Sequence, residues 1–209
     1  MGKVLLVDDH PLFRQALQAV VARAQPGLEI VEAQNLTEAR RILSERPGIT
    51  LVLLDLKMPD CGGFAGLLSL RADFPQAPVV VVSSSEDTNT VNRTIAFGAA
   101  GFIPKSSTNS EITEALAAIL AGEVWTPRAT APEAMPAAVE SIASLSPAQL
   151  KILLGLKRGL INKQIANELG ITEATIKAHM TILFRKMGVS NRTQAVIAAE
   201  AMNLDEQAH

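Results

Sequence analysis

The stretch Leu51-Val52-Leu53-Leu54-Asp55-Leu56-Lys57-Met58-Pro59 constrains this chain more than any other. Four consecutive apolar residues suit a strand buried on both faces, as inside a parallel sheet covered by helices. The run ends in a carboxylate, and Met58-Pro59 followed by Gly62-Gly63 turns the chain into a loop. Open α/β sheets bind their ligands at the carboxyl ends of the strands, so Asp55 stands where such a fold does chemistry. An isolated Asp there more often caps the following turn. Its role depends on what else converges on it.

The first 121 residues repeat that pattern. Val4-Leu5-Leu6-Val7 stops at Asp8-Asp9-His10, and Pro11 opens a helix running to about Ala24. A strand is expected over 28–33, a helix over 37–45 and, after the Asp55 strand, a helix over 64–71. Val79-Val80-Val81-Val82 ends at Ser83-Ser84-Ser85 and leads to a helix over 88–97. Phe102-Ile103 ends at Pro104-Lys105, and an amphipathic helix follows over 111–121. Five βα units imply an α/β doubly wound five-stranded parallel sheet with helices on both faces.

Asp8, Asp9, Asp55, Ser83 and Lys105 then all fall at strand ends that share one edge of the sheet. Clustered carboxylates repel one another and attract a divalent cation. Magnesium is satisfied by two carboxylates, a carbonyl and retained waters. Lys105 and the Ser83 hydroxyl would face an anion beside it. The set suits a phosphoryl-acceptor site with Asp55 as nucleophile.

Composition bounds the rest. A hydrophobic content of 48% with a net charge of −2 indicates a globular protein. The single cysteine, Cys61, allows no intrachain disulfide and fits a reducing cytoplasm. No leader pattern precedes Val4, and no apolar run approaches the ~18 residues of a membrane helix, so a cytoplasmic protein without membrane contact is expected. Residues 1–121 hold 10 basic against 13 acidic side chains, and residues 144–209 hold 8 against 5. An acidic first half and a basic second half suggest two domains with different partners. Between them, residues 122–143 carry prolines at 127, 132 and 136 and read as a semi-rigid tether. Trp125 is expected to pack against the end of the first domain.

In the second half, Leu145-Ser146-Pro147 is a helix start, with a helix to about Arg158. A short helix over 162–169 ends at Gly170, and Thr172 caps a third that reaches Met187; a fourth spans 192–203. Two helices joined by a tight glycine turn form a helix-turn-helix. On the third helix Ile176, Met180, Leu183 and Met187 make the buried stripe, leaving Lys177, Ala178, Thr181 and Arg185 on the face suited to a major groove.

Two resemblances sharpen these readings. On Asp8-Asp9, Asp55 with Met58-Pro59, Ser83 and Lys105, residues 3–121 resemble a CheY-like, flavodoxin-like receiver domain of two-component response regulators. The resemblance implies sheet order 2-1-3-4-5 and a phosphoryl group taken by Asp55 from a sensor histidine kinase. It further implies magnesium held by Asp9, Asp55 and the Lys57 carbonyl, with Asp8 acting through water. Lys105 and Ser83 would contact phosphoryl oxygens, and Phe102, at the aromatic switch position, would rotate inward as Ser83 moves. Ser106 follows the lysine where many receivers have proline.

On Asn162-Lys163-Gln164-Ile165-Ala166, the run from Leu169 to His179, and Asn191-Arg192-Thr193-Gln194-Ala195, residues 145–203 resemble the LuxR-type (NarL/FixJ) helix-turn-helix domain. By that resemblance Lys177, Ala178 and Thr181 face base edges. Lys163, Thr175, His179, Arg185 and Arg192 hold the DNA backbone, and the fourth helix is the dimer surface. Ala148-Gln149 stands where the family has an acidic residue, which would weaken an internal ion pair. The expectation is a transcriptional regulator, not an enzyme acting on other substrates. It would have a receiver over 1–121, a tether over 122–143 and a DNA-binding domain over 144–209. Homodimers form on paired half-sites when Asp55 is phosphorylated, with RNA polymerase a candidate partner. The rival expectation is a phosphorylation-independent LuxR-type DNA binder with a relic receiver.

Overall fold

The structure, a computed structural model, describes residues 2–127 and 134–203. The expectations falling on 128–133, Pro132 among them, and on 204–209 lie outside the described residues. The chain divides into two compact units between Ala134 and Met135.

The first unit is a five-stranded parallel sheet, built from β1 (Lys3–Val7), β2 (Glu29–Ala33), β3 (Ile49–Leu54), β4 (Val79–Ser83) and β5 (Gly101–Pro104), in the order β2-β1-β3-β4-β5. Helices α1 (Pro11–Ala24), α2 (Leu36–Glu45), α3 (Phe64–Asp73), α4 (Thr88–Ala96) and α5 (Asn109–Leu120) connect and follow the strands. Because side chains alternate across a strand, the apolar runs feed two cores at once. Val4, Leu6, Leu51, Leu53, Val80, Val82 and Ile103 join Leu17 and Val21 of α1 and Ile112, Ala115, Leu116 and Ile119 of α5. The intervening residues Leu5, Val7, Val52, Leu54, Val81 and Phe102 point the other way and are as deeply buried. There Phe64 of α3 meets Phe97 edge-on, with centroids 5.3 Å apart, and Arg93 lies 4.6 Å from the Phe64 ring.

Local signals fix the helix starts. Asn35, Asp87 and Thr108 each accept a hydrogen bond from the third residue of the helix they precede, and Thr108 with Glu111 closes a capping box. Asp60, in the loop after β3, adds a second acceptor for the Leu36 and Thr37 amides at the start of α2.

The stretch around Trp125 belongs to this unit. Trp125 pairs with Gly101 in a parallel bridge on the outer side of β5, and its ring packs on the α1–α5 core. A Cβ on Gly101 would come within 2.9 Å of both Ile119 Cδ1 and the Trp125 carbonyl oxygen, so only glycine admits this approach.

The second unit is all-helical, with α6 (Ala137–Ala143), α7 (Pro147–Lys157), α8 (Asn162–Leu169), α9 (Glu173–Lys186), α10 (Arg192–Ala198) and a 3-10 turn over Ala199–Met202. Helix α6 falls in the stretch read from sequence as tether. It forms because Val139 and Ile142 bury completely within this unit, beside the 3-10 turn. The fourth helix expected to 203 stays α-helical only to Ala198. Gln149, standing in for the family's acidic residue, accepts from the Ser146 N–H at 3.0 Å while its own N–H donates to Ser146 Oγ. It is a buried capping partner that carries no charge.

Candidate functional site

The sheet ladder continues one residue past each strand end and pins the polar residues found there. The Asp8 N–H donates to the Ala33 carbonyl at 3.2 Å, the Asp55 N–H to Val7 at 2.9 Å and the Lys105 N–H to Ser83 at 2.8 Å. Register does the rest: Val7 pairs with Leu54, so Asp8 and Asp55 emerge side by side.

Lys105 joins them. Its Nζ lies 2.6 Å from Asp8 Oδ2 and 2.8 Å from Asp55 Oδ2, bridging two carboxylates that are almost fully buried. Burial, the largest single influence, lowers the Lys105 pKa, but the hydrogen bonds and charges of Asp55 and Asp8 together outweigh it and leave the ammonium raised. The Phe13 ring covers the same ammonium at 4.5 Å. The other Asp55 oxygen, Oδ1, accepts from the Lys57 N–H at 2.9 Å, so the Lys57 backbone enters the site through its amide.

Asp8 Oδ1 accepts from the His10 N–H at 2.7 Å, and the His10 imidazole Nδ1 lies 2.8 Å from Asp9 Oδ1. One donor atom from each of Asp8, Asp9, His10 and Asp55 falls within 4.8 Å of the others. Asp8 Oδ2 and Asp9 Oδ1 are buried, the first facing the Lys105 ammonium and the second the His10 imidazole, and each carboxylate oxygen keeps a lone pair for a cation. Oxygen-rich donors at this spacing fit a hard divalent ion.

Ser83 is fully buried at the end of β4, and its Oγ accepts from the Ser85 N–H at 3.2 Å. Phe102 is fully buried too. The inward rotation expected of it has no exposed starting point in this structure, because the odd–even alternation of β5 already aims the ring into the core. Ser106 takes the place of a proline after Lys105 and hydrogen-bonds Glu86.

Sequence reasoning missed three neighbours of the site: Phe13, His10 and Arg14. The Arg14 guanidinium is buried and donates to the Asp8 carbonyl oxygen at 2.6 Å. A cation at position 14 on the stripe that continues through Leu17 and Val21 was the available signal.

The second unit presents its candidate residues on α8, α9 and α10. Gly170, at φ +65°, ends α8, and the Ile171 N–H returns to the Ala166 carbonyl at 3.0 Å. Thr172 then caps α9 through the Thr175 N–H. Ile176 and Leu183 are fully buried, Met187 nearly so and Met180 half-buried, while Lys177, Ala178, Thr181 and Arg185 are exposed together. Lys163 on α8 is exposed, and Thr175 and His179 are half-buried. The Thr181 hydroxyl is turned back onto the Lys177 carbonyl at 3.0 Å. Arg192 differs from the others: its Nη2 donates to the Leu160 carbonyl at 2.7 Å and the Leu156 carbonyl at 3.4 Å, closing the last turn of α7.

Both units match known families. The response regulator receiver domain matches residues 4–117, and bacterial regulatory proteins of the luxR family match residues 143–199. The chain is 40% identical over 210 residues to the glycerol metabolism activator of Pseudomonas putida, covering 95% of each chain. It is 33% identical over 200 residues to the nitrate/nitrite response regulator protein NarP of Escherichia coli, covering 93% of each. Among solved structures, a LuxR family DNA-binding response regulator from Silicibacter pomeroyi superposes with a TM-score of 0.55 at 30% identity, over 61% of this chain and 98% of that one. The RcsB response regulator of Salmonella typhimurium shares the fold, with a TM-score of 0.57 at 19% identity over 96% and 98%. No helix among the described residues is long and apolar enough to cross a membrane. With a receiver sheet carrying an acidic strand-end cluster and a luxR-family helix-turn-helix later in the sequence, the chain belongs to the LuxR-type family of DNA-binding two-component response regulators.

Proposed function

We propose that Asp55 is the phosphoryl acceptor of this regulator and that its modification by a sensor histidine kinase controls binding to promoter DNA in the cytoplasm. The observation that carries this reading is Lys105 Nζ bridging Asp8 Oδ2 and Asp55 Oδ2. A cation so placed steadies the acceptor carboxylate and stands ready for the oxygens of an arriving phosphoryl group.

Asp9, Asp55 and the Lys57 carbonyl would hold magnesium, with Asp8 acting through water; the ion, when bound, offsets charge on the transferred group. An Asp55 carboxylate oxygen attacks phosphorus, the bond from phosphorus to the kinase imidazole breaks, and the imidazole leaves with the bonding pair. The product is an acyl phosphate on Asp55. Lys105 then exchanges the Asp55 carboxylate for a phosphoryl oxygen, and the Ser83 hydroxyl gives up the Ser85 amide to donate to another. Phe102, already inside, would hold the space beside Ser83 as this happens.

On DNA, Lys177, Ala178 and Thr181 of α9 would face base edges, and Lys163, Thr175, His179 and Arg185 would take phosphates. Arg192 would serve chiefly by fixing α10 against α7. Phosphorylation would favour homodimers on paired half-sites through α10, where Ile197 is 66% exposed, and RNA polymerase would be the downstream partner.

Magnesium-dependent labelling by acetyl phosphate tests the acceptor. Label on the parent and none on Asp55→Ala is expected. An unlabelled parent, or label surviving in the variant, would return the protein to a phosphorylation-independent DNA binder.

A further inference from the structure

Phosphoryl transfer to Asp55 leaves the buried Arg14 without a role. Arg14 lies on α1 in line with Leu17 and Val21, at a position the helix gives to the core, and is only 6% exposed. A guanidinium is tolerated there only if its donors are spent. Two of them are: Nη1 donates to the Asp8 carbonyl oxygen at 2.6 Å, and Nε to Glu32 Oε2 at 3.0 Å. Glu32 is the penultimate residue of β2, the edge strand beside β1.

The acceptor on Asp8 is its backbone oxygen. That carbonyl belongs to the peptide joining Asp8 to Asp9, so its direction sets the plane from which the Asp9 side chain departs. The preceding peptide is already fixed through the Asp8 N–H bond to Ala33. Asp9 is held by few other contacts among the described residues: it lies past the end of β1, its side chain is about one-third exposed, and its Oδ1 meets the imidazole of its neighbour His10 at 2.8 Å.

We infer that Arg14 is a positioning residue of the acceptor site. Through the Asp8 carbonyl it fixes the Asp8–Asp9 peptide and thereby the place of the Asp9 carboxylate toward a divalent cation, with Glu32 anchoring the guanidinium from β2. This rests on the reading of the acidic cluster as a cation site. A point charge at position 14 would lower local repulsion, but only the planar fork reaches the carbonyl and Glu32 together.

The test uses the full chain and magnesium alone as ligand. Magnesium affinity by isothermal titration calorimetry, the melting temperature, and the magnesium dependence of acetyl phosphate labelling are compared for the parent, Arg14→Met, Arg14→Lys and Glu32→Gln. Arg14→Met should bind magnesium about tenfold more weakly, the scale seen when the outer hydrogen-bond partner of a ligand is lost. The magnesium concentration giving half-maximal labelling should rise by the same factor, while the rate at saturating magnesium stays near the parental one. Arg14→Lys should recover part of the affinity, and Glu32→Gln should lose a few-fold.

Arg14→Met that melts lower yet binds magnesium within twofold of the parent would make Arg14 a packing residue and overturn the inference. If Arg14→Met does not fold, parental affinity in both Arg14→Lys and Glu32→Gln overturns it equally. A parent that neither binds magnesium nor accepts label overturns the receiver reading itself.

Discussion

The main-chain N–H of Phe102 donates to the carbonyl oxygen of Trp125 at 2.9 Å. The core-facing residue that pairs in register with Val81, two before Ser83, is thereby tied to the segment leaving the sheet. Trp125 is the only tryptophan, so its emission reports on this contact alone. Adding magnesium and acetyl phosphate should shift the emission of the parent and leave Asp55→Ala unchanged. Constant emission from a fully labelled parent would uncouple Trp125 from the acceptor.

Lys105 sets a pH window. Its folded pKa is raised above the ordinary 10.5. The unfolded chain therefore loses this proton first, so the stabilisation is complete below the unfolded value and lost as pH rises through the folded one. The stability difference between the parent and Lys105→Met, from denaturant unfolding, should be flat from about pH 6 to about pH 9 and shrink only above about pH 10.4. A difference that decays near neutrality would contradict the bridge.

Cys61 behaves in the same sense, from a lower starting pH. Burial first, then the charges of Asp60 and Asp55, push its thiol up to about 12. In the unfolded chain it ionises near pH 8.5, so its contribution to stability falls as pH rises above that value. A thiol reagent at about pH 8 should modify native protein at least about a thousandfold more slowly than unfolded protein. Fast native labelling would mean the loop after β3 opens.

Gly98, at φ +78°, lies against the Arg71 guanidinium, which donates to the Phe97 carbonyl. Gly98→Ala should lose at least about 1 kcal/mol from backbone strain, with more from the clash. In an Arg71→Ala background only the strain remains. A thermal-unfolding double-mutant cycle should show coupling of about 0.5 kcal/mol or more.

The basic residues of the second unit should separate by role. Arg185→Ala should weaken DNA binding on all sequences, reduce the salt slope by about 1, and leave the melting temperature nearly unchanged. Arg192→Ala should also unfold more easily, by about 1–3 kcal/mol, because the Leu160 carbonyl just past α7 loses the Arg192 donor. Equal melting of the two variants would place Arg192 among the plain phosphate contacts.

Much of this was legible in the chain because the signals are local. The valine and leucine runs, their polar stops, and the caps Ser146 and Thr172 each act within a few residues; the sheet order came with the receiver resemblance, and the helices expected from 37 and 111 begin at Leu36 and Asn109. What stayed hidden depends on reach across the fold. Helix α6 has seven residues and two apolar anchors, too few to show a period, and it exists because the rest of its unit buries Val139 and Ile142. The cover of Phe13 over Lys105 and the bonds of Arg14 to Asp8 and Glu32 join residues brought together only when α1 lies on the sheet. The burial of Phe102 follows from strand alternation, which the two-residue strand read from sequence was too short to display.

The Trp125 bridge also closes one margin of the sheet. An open parallel sheet ends in unpaired amides and carbonyls that recruit strands from other chains. On the β5 side, Trp125 occupies the Phe102 N–H and the Ala100 carbonyl, and two residues on, Pro104 has no N–H to offer. On the β2 side, Glu29 and Glu32 put charge along the rim. Strand exchange and fibrous growth are thus discouraged at both margins of the sheet.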